Sequence, residues 1–380
     1  MFKIKNFLSI CVLLVACQSF AEDNMLNKIN SKSYILMDYE TGQVLTKERS
    51  DERLAPASLT KVMTAYVVFD KLKKGELSLT DEVLVSKKAW KTGGSKTFIE
   101  VGKKVMVEDL VKGMIVQSGN DAATALSEHI AGTEEDFAIL MNDYAKELGM
   151  DNSHFLNVTG LPKEGHYSTA EDLAILSRAM IQNFPEYYKY YSMKDFTYNN
   201  IFQKTRNRLL FSDKEVDGLK TGFTNKAGYC YISSAVRNDR RLITVVLGAD
   251  KPSKRFDDAK ILFSHGFRNY DTHRVIVKNE VIKQLDTQVM KGERDVIRVG
   301  AENDVIFVTE KGNKEDIIVE VSMNEIVIAP IKHGDVLGTM IIKRNEEILS
   351  EVNVIALENI NSGDFFKVFR DSLKLYIDKF

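Results

Sequence analysis

The sequence predicts an α+β protein: an antiparallel sheet flanked by helices, followed by a small all-β domain and a C-terminal amphipathic helix. Three observations predict this architecture. Strand-like runs stand at both ends of the first two thirds of the chain, helical periodicity dominates between them, and short β-branched runs separated by charged turns follow about residue 272. We therefore divide the chain into residues 22–272, 273–361 and 362–380, preceded by an N-terminal segment of residues 1–21.

The N-terminal segment has the features of a secretory signal. Two lysines precede an apolar run from Phe7 to Ala16, and small residues in Ser19-Phe20-Ala21 occupy the positions that a signal peptidase reads. We therefore expect export and cleavage after Ala21. A lipoprotein signal is the alternative, because Leu14-Val15-Ala16-Cys17 also fits a permissive lipobox. An uncleaved anchor is disfavoured, since the apolar run is shorter than the roughly 20 residues that span a bilayer.

Cysteine usage follows from that cleavage. Cys11 and Cys17 lie in the signal, so the cleaved chain retains Cys230 as its single cysteine. Such a chain forms no intramolecular disulfide, and its stability has to come from its core.

Charge and histidine spacing exclude two classes of site. The chain has 52 Lys and Arg against 54 Asp and Glu, whereas nucleic-acid binding needs a basic balance. The histidines are scattered and no zinc-type spacing occurs, so we expect no metal and no cofactor and interpret these side chains as structural. The histidines considered are His129, His154, His166 and His265.

The first elements are a hairpin and a buried helix. Ser33–Met37 and Gln43–Leu45 flank a turn at Glu40-Thr41-Gly42, which predicts an antiparallel pair. Apolar residues then recur at helical spacing. They are Leu59, Val62, Met63, Tyr66 and Val67. Ser58 and Lys61 therefore fall in the first turn of this helix.

Further helices and a pair of strands complete the larger domain. The helices are predicted at residues 106–115, 121–131, 134–148 and 169–182. Ser168 and Glu171 have capping-box spacing at the start of the last one. Tyr229–Val236 and Leu242–Leu247 predict two strands joined by a turn at Asn238-Asp239. Strands from both ends of the domain can therefore share one sheet.

The remainder of the chain changes character. Its β-branched runs are Val275–Val277, Val305–Val308, Ile317–Val319 and Met340–Ile342. The final segment, Asp364–Phe380, places apolar residues at spacings of three and four among basic ones, which is typical of an amphipathic and not a transmembrane helix. These apolar residues are Phe366, Phe369, Leu373, Ile377 and Phe380.

The first candidate motif is Ser58-Leu59-Thr60-Lys61. On a helix it places a hydroxyl and an amine on one face, within hydrogen-bonding reach. A lysine accepts the serine proton only if its pKa is lowered, which burial and a nearby cation both accomplish. We nominate Lys220 as that cation. The tetrapeptide alone is weak evidence, because it arises by chance in many proteins.

Two further triplets strengthen the case. Ser118-Gly119-Asn120 falls between an apolar run and a helix, where its side chains can project into a cleft; helix capping by Asn120 is the alternative. Lys220-Thr221-Gly222 precedes the strand pair, and its glycine lets a substrate backbone lie against the strand edge. A strand-end turn with a solvated lysine is the alternative there.

The three motifs occur in the order and approximate separations of the penicillin-recognising serine enzymes. Pro56–Thr64, Gln117–Ala122 and Asp217–Gly222 resemble the low-molecular-weight penicillin-binding proteins that are serine D-Ala-D-Ala carboxypeptidases. The resemblance runs from the signal to the C-terminal helix. It implies a β-lactamase- or transpeptidase-like catalytic domain with a five-stranded sheet, removal of the terminal D-Ala from peptidoglycan stem pentapeptides, and acylation by β-lactam antibiotics.

The resemblance also implies roles for particular residues. Ser58 would attack the carbonyl between two D-alanines, with Lys61 as general base. Ser118 and Lys220 would relay the proton to the leaving D-alanine, and Asn120 would bind a substrate amide.

The rest of the implied site binds substrate. Arg255 matches the arginine that holds the terminal carboxylate, and Thr221 and Gly222 lie on the substrate-binding strand. The backbone N–H groups of Ser58 and Phe223 would form an oxyanion hole. Position 223 is a histidine in some relatives, and a phenylalanine side chain cannot hydrogen-bond.

Other functions remain open at this point. A DD-endopeptidase would use the same residues. A β-lactamase is disfavoured, because no Glu-x-x-x-Asn segment supplies a deacylating glutamate. A non-catalytic peptidoglycan-binding scaffold is disfavoured by the presence of Ser58, Lys61 and Lys220. The resemblance implies that the final helix lies in the membrane interface on the periplasmic face of the inner membrane; packing on the β domain is the alternative.

Overall fold

The computed structural model describes residues 25–377, apart from 283, 284, 286, 312–316, 325, 345 and 346. The predicted signal, with Cys11 and Cys17, lies outside the described residues. The chain forms two compact units, one ending at Arg268 and the other beginning at Asn269. The sequence predicts this boundary after residue 272. The structure has it a few residues earlier, because the strand that begins at Tyr270 pairs within the second unit.

The first unit contains the predicted antiparallel sheet. Its strands are β1 (Ser33–Asp38), β2 (Val44–Glu48), β3 (Glu82–Leu84), β4 (Lys104–Met106), β5 (Asp195–Tyr198), β6 (Ile201–Lys204), β7 (Val216–Thr224), β8 (Gly228–Arg237) and β9 (Arg240–Ala249). Five of them form one sheet in the order β2-β1-β9-β8-β7. The first and last strands in sequence therefore share one sheet, as predicted, and β7 lies at its edge.

Helices lie between these strands in sequence, and the last helix follows β9. They are α1 (Thr60–Lys73), α2 (Lys87–Lys91), α3 (Val107–Lys112), α4 (Asn120–Ala131), α5 (Glu134–Glu147), α6 (Ala170–Asn183), α7 (Pro185–Tyr188), α8 (Leu209–Ser212) and α9 (Lys254–Asn269). Short 3₁₀ turns span Ala57–Leu59 and Lys189–Ser192, and a π-helical turn spans Gly113–Gln117. The predicted α+β class is confirmed.

The sheet is covered on both faces. In β1, Ile35 and Met37 join the core cluster that contains α1 and α6. Leu36 points to the opposite face, where α9 packs so closely that a Cβ on Gly266 would lie 2.8 Å from Leu36 Cδ2. Alternate residues of one strand therefore pack against different helices, because successive side chains point to opposite faces.

The cap of α6 differs from the prediction. Its N-cap is Thr169, whose Oγ1 accepts from the Asp172 backbone N–H at 3.0 Å. The predicted capping box of Ser168 and Glu171 is therefore wrong by one residue. The Ser168 backbone instead forms a bridge to Leu54.

The second unit is built of strands, with one helix at its end. The strands are β10 (Tyr270–Ile276), β11 (Thr287–Met290), β12 (Val296–Ile297), β13 (Val299–Ala301), β14 (Val305–Glu310), β15 (Ile317–Met323), β16 (Val327–Ile328), β17 (Val336–Arg344) and β18 (Glu347–Ala356), and the helix is α10 (Phe365–Ile377). They form a four-stranded sheet β13-β18-β17-β15, a three-stranded sheet β12-β11-β16 and the pair β10-β14. A separate apolar core lies between them, including Val299, Val305, Ile342 and Val354, all fully buried.

Helix α10 contacts the β domain through its polar face. Asp364 caps it by accepting from the Lys367 N–H at 2.8 Å. The buried Asp371 carboxylate accepts from the Lys291 backbone N–H at 2.7 Å, and Lys367 pairs with Asp295 at 2.6 Å. Five of its apolar residues are 52% to 81% exposed, whereas Val368 and Leu375 are only partly exposed. The five are Phe365, Phe366, Phe369, Leu373 and Ile377. Phe380 lies outside the described residues.

Among the described residues, no helix combines the length and the apolar character that crossing a bilayer requires.

Candidate active site

Ser58 lies in a tight turn directly before α1. The turn depends on Ala57, which has a left-handed φ of +49°. Gly160 packs against this turn so closely that a Cβ there would lie 1.8 Å from the Ala57 carbonyl oxygen. The backbone that carries the hydroxyl is therefore fixed by a neighbouring loop as well as by its own helix.

Lys61 lies beside Ser58, as its helical spacing predicts. Its Nζ is 3.1 Å from Ser58 Oγ and donates to the Thr159 carbonyl at 2.7 Å. The side chain is 1% exposed. Burial, followed by the Arg206 guanidinium, lowers the pKa of Lys61 to about 7, while the Asp121 carboxylate opposes this shift. A substantial fraction of Lys61 is therefore neutral, and able to accept a proton, near neutral pH.

The second motif follows a strained turn. The π-helical turn Gly113–Gln117 ends at Ser118, which has a left-handed φ of +68°. Such turns and conformations are concentrated at functional sites. Ser118 is 3% exposed, and its Oγ has no hydrogen-bond partner among the described residues. A buried hydroxyl in this state is available to a ligand.

Asn120 is the first residue of α4, yet its side chain does not cap that helix. Its Nδ2 donates to the Gly93 carbonyl at 2.5 Å. Its Oδ1 is buried and, within the described part of the chain, unpartnered. The amide is therefore oriented by the loop that contains Gly93 and presents an acceptor that a substrate N–H could use.

Asp121 is a supporting residue that the sequence did not single out. It is fully buried, and its carboxylate accepts from the backbone N–H groups of Thr97 at 2.8 Å and Phe98 at 2.9 Å. It also accepts from the Ala122 N–H at 2.9 Å. The carboxylate thus fixes the loop that orients Asn120. The sequence shows that Asp121 directly follows Ser118-Gly119-Asn120. It does not indicate the hydrogen bonds to Thr97 and Phe98, because those residues are distant in sequence.

The third motif lies on β7, beside the Ser58 turn. A Cβ on Gly222 would be 3.1 Å from Ala57 Cβ and 3.2 Å from the Ser58 backbone nitrogen. Glycine therefore permits the close approach of the strand to the serine. Thr221 is 7% exposed and lies between Gly222 and Lys220 on the same strand.

Lys220 adds a second buried amine. It is 3% exposed, and its Nζ donates to the Thr221 carbonyl at 3.1 Å. Burial, followed by the Lys61 ammonium and the guanidinium groups of Arg206 and Arg255, lowers the pKa of Lys220 well below its ordinary value. Lys61 thus lowers the pKa of Lys220, but the cation that lowers the pKa of Lys61 is Arg206, so the nomination of Lys220 for that role is wrong. Arg206 is a further cation that the sequence did not indicate.

Arg255 lies against the same strand. Its Nη1 donates to the Gly222 carbonyl at 2.9 Å and to the Cys230 carbonyl at 3.4 Å. Burial lowers its pKa to about 10, so it stays charged at neutral pH. The side chain of Phe223 is 47% exposed and stacks on Tyr229 with ring centroids 4.3 Å apart. The guanidinium groups of Arg255 and Arg206 together favour a ligand with a carboxylate.

Comparisons with known proteins identify the family of the chain. Residues 18–251 match the family model described as D-alanyl-D-alanine carboxypeptidase, and residues 270–362 match the C-terminal domain of penicillin-binding protein 5. The chain is 40% identical to the D-alanyl-D-alanine carboxypeptidase DacC of Escherichia coli, over 93% of this chain and 91% of that protein.

Two solved structures are similar as well. Penicillin-binding protein 5 from Haemophilus influenzae has a TM-score of 0.80 at 36% identity, covering 88% of this chain and 98% of that one. Penicillin-binding protein D2 from Listeria monocytogenes in its ampicillin-bound form has a TM-score of 0.58 at 33% identity, covering 63% of this chain and 98% of that one. The resemblance inferred from the three motifs is confirmed, and the chain belongs to the D-alanyl-D-alanine carboxypeptidase family.

Proposed function

We propose that this chain is a serine D-alanyl-D-alanine carboxypeptidase that removes the terminal D-alanine from peptidoglycan stem pentapeptides through an acyl-enzyme on Ser58. The observation that carries this proposal is the 3.1 Å approach of Ser58 Oγ to Lys61 Nζ. The amine is buried and has a pKa lowered to about 7, which suits a general base. Family membership supports the choice of substrate.

Acylation follows from this pair. The neutral Lys61 amine takes the Ser58 hydroxyl proton while Oγ bonds to the carbonyl carbon between the two D-alanines. The Ser58 backbone N–H, beside Gly222 on β7, would stabilise the oxyanion together with the Phe223 N–H. Because only backbone groups are needed, the phenylalanine at position 223 leaves this step intact.

Departure of D-alanine completes the first half-reaction. The C–N bond breaks as the leaving amine receives a proton through Ser118 and Lys220, and water then hydrolyses the ester. Ser118 Oγ has no hydrogen-bond partner in the part of the chain that the structure describes, which supports this role. Arg255 would hold the terminal carboxylate of the substrate, and Asn120 would accept a substrate N–H. Arg206 adds to the positive charge that favours an anionic substrate.

The test is mass spectrometry of the exported form with benzylpenicillin, together with D-alanine release from a pentapeptide ending in D-Ala-D-Ala. We expect a penicilloyl adduct on the peptide containing Ser58, and D-alanine release by the same preparation. Ser58→Ala is the control that must remain unmodified and inactive. An adduct without D-alanine release would favour an endopeptidase, sustained penicillin turnover would favour a β-lactamase, and no adduct on Ser58 would overturn the proposal.

We also propose that the enzyme works at the periplasmic face of the inner membrane, held there by α10. The polar face of the helix is occupied by contacts to the β domain, while its phenylalanines point away from that domain's core and are largely exposed. An exposed aromatic face on an amphipathic helix suits the interface between lipid headgroups and acyl chains.

Replacing Phe366 and Phe369 together with serine is expected to weaken binding to vesicles of phosphatidylethanolamine and phosphatidylglycerol by roughly 10- to 100-fold, because two exposed aromatic side chains no longer enter the lipid. Flotation or sedimentation of the full chain with vesicles measures this. Ile348→Ser, at another exposed apolar position of the β domain, is the matched control. Equal binding of the double variant and the wild type would contradict the membrane role.

A further inference from the structure

The loop Leu156–Gly160 runs along the first turns of α1 and supports Lys61. Thr64 Oγ1 donates to the Val158 carbonyl at 2.8 Å. Lys61 Nζ donates to the Thr159 carbonyl at 2.7 Å. Within the loop, the Asn157 side chain accepts from the Gly160 N–H at 2.7 Å. The position of the carbonyl that holds Lys61 therefore depends on how this loop is attached to the helix.

His166 forms that attachment at the beginning of the loop. The Leu156 backbone N–H donates to His166 Nδ1 at 3.0 Å, which makes Nδ1 the acceptor of the ring. Nε2 then carries the hydrogen and donates to Thr60 Oγ1 at 2.8 Å. The imidazole thus connects the loop to the first residue of α1, next to Lys61. Its side chain packs against Phe155 and is 6% exposed.

We propose that His166 is a positioning residue for the acylation step: it joins the Leu156–Gly160 loop to α1 and thereby holds the Thr159 carbonyl against Lys61. The inference rests on the proposed role of Lys61 as general base. The two ring nitrogens of His166 bond to Thr60 and Leu156 and not to Ser58, so neither is available for proton transfer.

The surroundings of the ring keep it neutral, as this bridging role requires. Burial, followed by the nearby His154 and Lys163, lowers the pKa of His166 to about 4. Helix α1 presents the Thr60 hydroxyl to it, and the Lys61 ammonium is directed to Ser58 and Thr159. At the pH of the reaction the ring therefore acts as one donor and one acceptor.

The test compares His166→Gln with His166→Phe in the full chain. A glutamine amide offers an acceptor oxygen and a donor NH2 group and does not titrate, whereas phenylalanine fills the space without either hydrogen bond. We expect His166→Phe to slow benzylpenicillin acylation roughly tenfold at its pH plateau. The acidic limb of the pH–rate profile should move to lower pH. The Lys61 ammonium loses its carbonyl acceptor, and this loss lowers the pKa of Lys61. His166→Gln should restore both values to within about twofold of wild type.

A merely structural role gives a different pattern. It predicts a lower melting temperature for His166→Phe with the acidic limb unchanged, and that result would overturn the inference. If His166→Phe fails to fold, Thr60→Val removes the other hydrogen-bond partner at nearly constant volume and should move the limb in the same direction. An unmoved limb in Thr60→Val would equally count against the inference. Absence of acylation in the wild type would instead defeat the proposed function.

Discussion

Lys61→Met is expected to slow acylation of Ser58 by benzylpenicillin by about 10⁴-fold. The substitution keeps an unbranched side chain of similar length in the buried site. It removes the base that lies 3.1 Å from Ser58 Oγ, together with its hydrogen bond to the Thr159 carbonyl. Removing a buried amine also removes a desolvation cost, so the variant should remain folded. Stopped-flow or quenched mass spectrometry at pH 8 measures the acylation rate, and the melting temperature reports on the fold.

The protonation of Lys61 determines how the acylation rate should change with pH. With a pKa of about 7, Lys61 is protonated below pH 7 and cannot accept the serine proton. The wild-type rate should therefore rise about tenfold per pH unit up to pH 7 and level off above it. Lys61→Arg keeps the positive charge but cannot be deprotonated, so it should be as slow as Lys61→Met. If either variant is acylated at a rate within tenfold of the wild-type rate, another group is the base, and Lys220 is the next candidate.

The sequence identified the three motifs because each is local. Ser58 and Lys61 are brought together by one helical turn, and Lys220, Thr221 and Gly222 are consecutive on one strand. That strands from both ends of the domain share one sheet was likewise predictable, whereas the number of five strands came from the family resemblance. The turn at Asn238 and Asp239 has the left-handed φ values that a two-residue hairpin favours.

What the sequence did not indicate depends on tertiary contacts. Arg206 influences both lysines, although it is far from each of them in sequence. Asp121 binds backbone groups more than twenty residues away, and backbone donors carry no sequence signal. The spacing of the histidines bears on metal binding and gives no sign of the hydrogen bonds that His166 makes. Its connection from Leu156 to Thr60 exists only in the fold.

For the C-terminal helix, the sequence predicted the element but not which of its faces contacts the β domain. The sequence left membrane binding and packing on the β domain as alternatives. Asp371 and Lys367 attach the polar face of α10 to the β domain, while the phenylalanines of the other face are exposed. Periodicity identified the two faces, but not which of them the domain would contact. Packing on the domain therefore leaves the aromatic face available for the proposed membrane contact.

Gly160→Ala is expected to disable the site by moving the backbone that carries Ser58. The added Cβ would lie 1.8 Å from the Ala57 carbonyl oxygen and 2.8 Å from Thr60 Oγ1, and Gly160 has a left-handed φ of +79°. Because the nearest obstacle is backbone, relief requires the serine turn or the loop to shift. We expect a loss of about 3 kcal/mol in the free energy of unfolding and acylation slowed by about 10²-fold or more.

Gly149→Ala separates the clash from the backbone strain. Gly149 has a comparable φ of +76°, but a Cβ there meets nothing within 4 Å. This control should lose only about 1 kcal/mol of stability and keep the wild-type acylation rate. Denaturant unfolding and acylation kinetics on both variants give the comparison. If Gly160→Ala acylates as fast as Gly149→Ala, the Ser58 turn is not held in place by this loop, and the support inferred for Lys61 from Leu156–Gly160 would have to be abandoned as well.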